Sequence, residues 1–277
     1  MIKRESYMER IRPFMGNELI KVLTGIRRSG KSVMLGLIQE ELMENGVEKE
    51  NMISINFENM ANAGFCTAKS LHDEILRRIN RTEGKIYLFF DEIQEVEEWE
   101  KCINSFRVEI DCDIYITGSN AKLLSGELAT YLAGRYVEFI IYPFSFKEFI
   151  DLYHTIEPGS DERECFRKYL IAGGMPYLSN LHYDEEAGRQ YLRDLFYSVE
   201  LKDVVQRNNI RDVDMLERII AYVTLNVGTT FSATSISKYL KNEGRKVSPE
   251  TVLNYLKACV DAFLFYLKRN WKNIQRM

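Results

Sequence analysis

"GIRRSGKS", residues 25–32, decides the fold. Gly25, four residues and then Gly30-Lys31-Ser32 match the phosphate-loop spacing GxxxxGKS. Glycines let successive backbone N–H groups wrap an anion, and a helix starting at Lys31 turns its positive end toward the same anion. Lys31 is spaced to reach the β- and γ-phosphates of a nucleotide, and the Ser32 hydroxyl to hold Mg²⁺. The candidate nucleotide-binding segment is therefore Gly25, Ile26, Arg27, Arg28, Ser29, Gly30, Lys31, Ser32 and Val33. Its flanks agree. "LIKVLTG" (19–25) is an apolar run suited to a buried strand, and "KSVMLGLIQEELMENG" (31–46) has helical periodicity with a stop at Gly46. The spacing does not require Arg27 or Arg28. They are either a solvated loop tip or cations facing the γ-phosphate side or an acidic surface.

Working outward, the first ~150 residues alternate strand-like and helix-like segments, the pattern of an α/β layer fold with a parallel sheet. A short helix over Tyr7 to Phe14 precedes the first strand. "MISINFEN" (52–59), "KIYLFFDEIQ" (85–94), "CDIYITGSN" (112–120) and "YVEFIIYPF" (136–144) supply four more strands. "AKSLHDEILRRIN" (68–80), "EWEKCINSFRVEI" (98–110) and "AKLLSGELATYLAGR" (121–135) are the helices between them. From Ser145 the strand signal fades, and "FKEFIDLYHTI", "ERECFRKYLIAGG" and "GRQYLRDLFYSVELKDVV" read as helices. These shifts divide the chain into a core over 1–144, a helical segment over 145–212 and a last helical block over 213–277.

The strand "IYLFFDE" ends in Asp91-Glu92. An acidic residue emerging there can hold Mg²⁺ through water, and Glu92 is positioned to orient or deprotonate an attacking water. The alternative is an acidic pair that opens the following helix.

Composition narrows the class. Of 277 residues, 45% are hydrophobic and 28% charged, a globular balance. No apolar run approaches the ~18 residues of a membrane span, and no apolar segment follows the basic start, so neither a membrane partner nor a signal peptide is expected. Five cysteines without a CxxC pair read as reduced thiols of a cytoplasmic protein. Three scattered histidines do not suggest a metal site.

With GxxxxGKS, the strand ending "DE" and "YITGSN" (115–120) in place, the sequence resembles the AAA+ superfamily of P-loop ATPases. Within it, "LAGRYVEFIIYPFSFKEF" (132–149), "AGGMPYL" (172–178) and "DVVQRNNIRD" (203–212) are similar to a large prokaryotic group of predicted ATPases, over nearly the whole chain. The resemblance implies ATP and Mg²⁺ as cofactors, and a five-stranded sheet with the "TGSN" strand between the phosphate-loop and "DE" strands. It puts Ser119 and Asn120 where such proteins read the γ-phosphate; a helix cap is the other reading of either residue. It puts Arg135 at the position of an arginine finger, acting in cis or across an oligomer interface; a helix-terminal cation is the alternative. Relatives generally continue into a further C-terminal domain, so the expectation is a shortened chain or gene.

The last block carries winged-helix punctuation. Ser232 and Ser248 are spaced to cap two helices, Pro249 sits in a first turn and Gly244 at a stop. Val252, Leu253, Leu256 and Val260 are expected to face a core, leaving Thr251, Asn254, Tyr255 and Lys257 for solvent or a groove. Lys238, Lys241, Arg245 and Lys246 are candidate phosphate contacts on double-stranded DNA. A partner protein is the competing occupant. Residues 229–277 hold nine cations and three acids, net +6, so the remainder carries −10.

Overall fold

The five expected strands form in the computed structural model, which describes residues 2–80, 82–121, 132 and 134–266. They are β1 (Ile20–Thr24), β2 (Met52–Asn56), β3 (Ile86–Asp91), β4 (Cys112–Gly118) and β5 (Tyr136–Ile140). All pair in parallel, in the order β2-β3-β4-β1-β5. β4, the "TGSN" strand, thus lies between the phosphate-loop strand and the "DE" strand, as the resemblance implied. The chain leaves β1 for the far edge at β2, so the C-terminal ends of β1 and β4 flank the point where ligands bind in open α/β sheets.

Parallel strands buried on both faces need apolar residues of either parity. One face carries Ile20, Val22, Leu88, Phe90, Ile114 and Ile116. They pack on α3 (Ala68–Ile79) and α4 (Trp99–Glu109) through Leu71, Ile75, Ile103 and Phe106. The opposite face carries Leu23, Phe89, Tyr115 and Phe139, covered by α1 (Glu5–Ile11) and α2 (Lys31–Glu44) through Tyr7, Ile11, Met34, Ile38 and Leu42. Phe89 and Phe90 are both fully buried, each contributing roughly 1.5–3 kcal/mol by leaving water.

The chain falls into two compact units, 1–191 and 192–277, with the boundary inside the expected helical segment. Beyond β5, the first unit adds α5 (Phe146–Ile156), α6 (Glu162–Ala172) and the first half of α7 (Glu185–Ser198). "AGGMPYL" acquires a reason here. The Phe144 N–H donates to Gly174 O at 2.7 Å, and a Cβ on Gly174 would meet Phe144 O at 2.1 Å. Only glycine allows that backbone approach.

In the second unit, the end of α7 passes into a π-helix, Val199–Gln206. Then follow α8 (Val213–Leu225), α9 (Ala233–Asn242) and α10 (Pro249–Asp261). Met215, Ile219, Val223, Ile236, Leu240, Val252 and Leu256 form their common core. Ser232 caps α9 and Ser248 caps α10, each accepting from the N–H three residues on. Two expectations fail. Leu253 is 57% exposed, because the apolar stripe of α10 passes through Val252, Leu256 and Cys259. Tyr255, expected to be free, lays its ring against the core.

The expected helix at 121–135 and the tail from 267 lie almost wholly outside the described residues. No helix among the described residues is long and apolar enough to cross a membrane.

Candidate functional site

Register assembles one edge of the sheet. Asn56 of β2 pairs with Asp91 of β3, Phe90 with Ile116, and Thr24 of β1 with Gly118 of β4. The C-terminal ends therefore bring Asn56, Asp91, Thr117 and the start of the phosphate loop side by side.

The loop leaves β1 at Gly25, whose φ of +143° and contact with Ile141 O leave no room for a Cβ. Arg28 is left-handed at φ +64°, and Gly30, at φ +98°, occupies the cap position of α2. Gly30 offers no side-chain acceptor, so no side-chain cap occupies the start of α2, the end of a helix that suits an anion. Ser29 is fully buried, and its Oγ has no hydrogen-bond partner among the described residues. Lys31, also buried, donates from Nζ to Gly25 O at 3.1 Å and Ile26 O at 3.3 Å. Ser32 and Val33 are exposed on the first turn of α2.

The two carboxylates are fixed by neighbours that the sequence reading did not name. Thr117 Oγ1 donates to Asp91 Oδ1 at 2.5 Å and accepts the Glu92 N–H at 2.9 Å. Asn56 Nδ2 donates to Asp91 Oδ2 at 2.7 Å. Glu92 adopts a left-handed backbone, φ +55°, which turns its side chain toward the loop; Oε1 lies 3.7 Å from Lys31 Nζ. Gln94 Nε2 donates to Glu92 Oε2 at 2.5 Å. A helix-opening acidic pair would need none of this. Thr117 stood in the quoted "YITGSN", and its signal was position: a hydroxyl at a strand end, beside the strand that carries the carboxylates. Asn56 carried the same signal at the end of β2.

Ser119 and Asn120 follow β4 directly and are buried at this same edge. The loop-tip arginines differ, Arg27 being half-buried and Arg28 exposed. Arg27 pairs with Glu58 at 3.1 Å, while the Arg28 guanidinium lies 5.9 Å from the centre of the Tyr177 ring of "AGGMPYL".

Arg135 is not brought to this edge. It precedes β5, where Tyr136 pairs with Ile20 at the start of β1, whereas the loop follows Thr24, paired with Ile140. Four residues of strand, about 13 Å, separate the two edges. Arg135 is exposed and donates to Asn104 Oδ1 at 3.1 Å. Arg135 thus stands at the opposite end of β1 from the phosphate loop.

The DNA-contact candidates divide. Lys241, Lys246 and Asn254 are exposed, Thr251 half-buried and Tyr255 packed on the core. Arg245 is exposed but pairs with Asp214 at 2.9 Å.

Comparison with known proteins agrees with the fold. Residues 17–150 match an AAA domain family, and residues 163–276 match a domain of unknown function, DUF8612. An uncharacterised protein of Haemophilus influenzae is 39% identical over 274 residues, which cover 98% of this chain and 67% of the relative. An uncharacterised protein of Methanocaldococcus jannaschii is 31% identical over 261 residues, covering 91% of this chain and 57% of its own length. The chain thus spans about three-fifths to two-thirds of these relatives. A Walker-type ATPase of Pyrococcus abyssi shares the fold, with a TM-score of 0.65 at 18% identity over 94% of this chain and 89% of that one. With its phosphate loop, its strand order and these relatives, the chain belongs to the AAA+ superfamily of P-loop ATPases.

Proposed function

We propose that the chain binds MgATP and hydrolyses it to ADP and phosphate, the nucleotide state moving a helical lid over 145–212 and a winged-helix module over 213–277. The observation that carries this reading is the gathering of Lys31, Asp91 and Glu92 at one sheet edge, with Thr117 bonded to the Asp91 carboxylate and to the Glu92 backbone N–H. The N–H groups of residues 25–33 take the phosphates, and Lys31 exchanges loop carbonyls for phosphate oxygens.

The donor set suits a hard divalent cation. Asp91 keeps lone pairs beyond those given to Thr117 and Asn56, and the Ser32 hydroxyl stands exposed at the start of α2. Ser32 directly and Asp91 through water would hold Mg²⁺, which when bound offsets charge on the β- and γ-phosphates. Glu92 takes the proton of the attacking water as the water oxygen bonds to the γ-phosphorus. Ser119 and Asn120 orient that water. The bond to the β-phosphate oxygen breaks, and ADP leaves with the electron pair.

Steady-state phosphate release tests the reading. Glu92→Gln should lower turnover by about 10²- to 10⁴-fold while ATP still binds. A wild-type rate no higher than that of the variant would favour the alternative, ATP as a structural ligand of a binding module. Arg135 belongs to this proposal only as a residue serving a neighbouring subunit's site. In the same assay Arg135→Ala should slow turnover without weakening ATP binding, and unchanged turnover removes it.

A second role, contact with duplex DNA, draws support from the capped α9–α10 pair and the exposed Lys241, Lys246 and Asn254. A partner protein is the alternative occupant of that face.

A further inference from the structure

Arg4, just ahead of α1, is buried, although nothing in its local sequence marks it. Its backbone is left-handed, φ +45°, a strained state that persists only where surroundings enforce it. The guanidinium ties three distant parts of the first unit together. Nε donates to Glu148 Oε1 at 2.8 Å, Nη2 donates to Tyr142 O at 2.8 Å, and Nη1 donates to Ser29 O at 3.0 Å. The rings of Tyr7 and Phe144 flank it at 4.6 and 5.2 Å. A Cβ on Gly30 would lie 3.6 Å from Nη1, so the group sits directly behind the phosphate loop.

We propose that Arg4 is a positioning residue for phosphate binding, holding the Ser29–Gly30 peptide so that the Gly30 N–H points into the cradle. This deepens the nucleotide-binding reading and rests on it. The reason is peptide planarity: carbonyl and N–H of one peptide point in opposite directions. Drawing Ser29 C=O back onto Arg4 turns the Gly30 N–H forward. Arg4 does not act as a phosphate ligand itself, because its charge is matched by Glu148. Burial pushes the Glu148 carboxyl up, but the hydrogen bonds from Arg4 and Ser145 and the charge of Arg4 together hold it below its ordinary value.

Glu148 also closes the capping box of α5. It accepts from Ser145 N at 2.8 Å, while its own N–H donates to Ser145 Oγ. The first turn of α5 is therefore linked through one carboxylate and one guanidinium to the loop peptide, and its displacement alters the cradle.

Isothermal titration of wild type, Arg4→Lys and Glu148→Gln with MgADP and MgATP tests this, beside thermal unfolding of each protein alone. Lysine keeps the charge but not the three-way fork. Arg4→Lys should lose about tenfold or more in affinity for both nucleotides alike, since the cradle serves the β-phosphate they share. Glu148→Gln should lose less, in the same equal ratio. A purely structural clamp would lower the unfolding temperature and leave both affinities within twofold of wild type, which overturns the proposal. If Arg4→Lys does not fold, the near-isosteric Glu148→Gln decides by the same criterion. A wild type that binds neither nucleotide sinks the nucleotide reading and this one with it. A wild type that binds, beside variants that bind as well, sinks the Arg4 assignment alone.

Discussion

Thr117 ties both acidic residues with one oxygen, donating to the Asp91 carboxylate and accepting the buried Glu92 backbone N–H. Replacing it with valine keeps the shape and removes both bonds. An unpaired buried N–H costs about 1–3 kcal/mol, and the left-handed turn at Glu92 that aims its carboxylate toward Lys31 loses its anchor. Thr117→Val should therefore slow phosphate release by roughly 10- to 100-fold, the same free energy read as a rate. Thr117→Ser should restore most of it. MgATP affinity should change far less, because the loop N–H groups and Lys31 are untouched. A valine variant with wild-type turnover would show that the register of β3 and β4 alone fixes the two carboxylates.

At the scale of elements, β1 shows what sequence conveys and what it hides. "LIKVLTG" announces a buried strand through its apolar run, and the loop after it through its spacing, because both signals are local. Lys21 in mid-strand is fully buried, its ion-pair partner Asp113 is 92 residues away on β4, and no local pattern connects them. Burial holds the Lys21 ammonium below its usual range, opposed by Asp113. Asp113 also accepts the Tyr115 hydroxyl and the Gly16 N–H. The same holds for Arg4 and Glu148, 144 residues apart, and for Asn56 with Asp91. The five strands and the loop were legible in the residues, and the strand order only through the resemblance; the polar groups that orient the site come from tertiary pairing. Breaking a buried pair by removing one partner costs about 3–5 kcal/mol. Lys21→Met should therefore lower stability by that amount in urea unfolding. Lys21→Met with Asp113→Leu should recover part of it but not all, since Tyr115 and Gly16 lose their acceptor. A single variant within about 1 kcal/mol of wild type would mean the pair adds nothing net.

For the whole molecule the governing quantity is charge. The net of −4 conceals +6 over residues 229–277, and a uniformly acidic surface would repel nucleic acid. Among the described residues of this stretch, Lys238, Lys241 and Lys246 are exposed, whereas Arg245 is engaged by Asp214, which also binds Arg218. Three to four phosphate contacts give a logarithmic salt slope near −3, so duplex affinity should fall about 40- to 150-fold between 50 and 200 mM salt. Gel retardation across that range checks the slope. Lys246→Ala should weaken binding and reduce the slope by about one unit, whereas Arg245→Ala should do so less, because its charge is already matched. No retardation at low salt, or affinity indifferent to salt, would remove DNA from the proposal and leave the face around α9 and α10 to a protein partner. Equal loss from the two variants would mean that Arg245 exchanges Asp214 for a phosphate on binding, so that the ion pair in the free protein occupies a DNA contact.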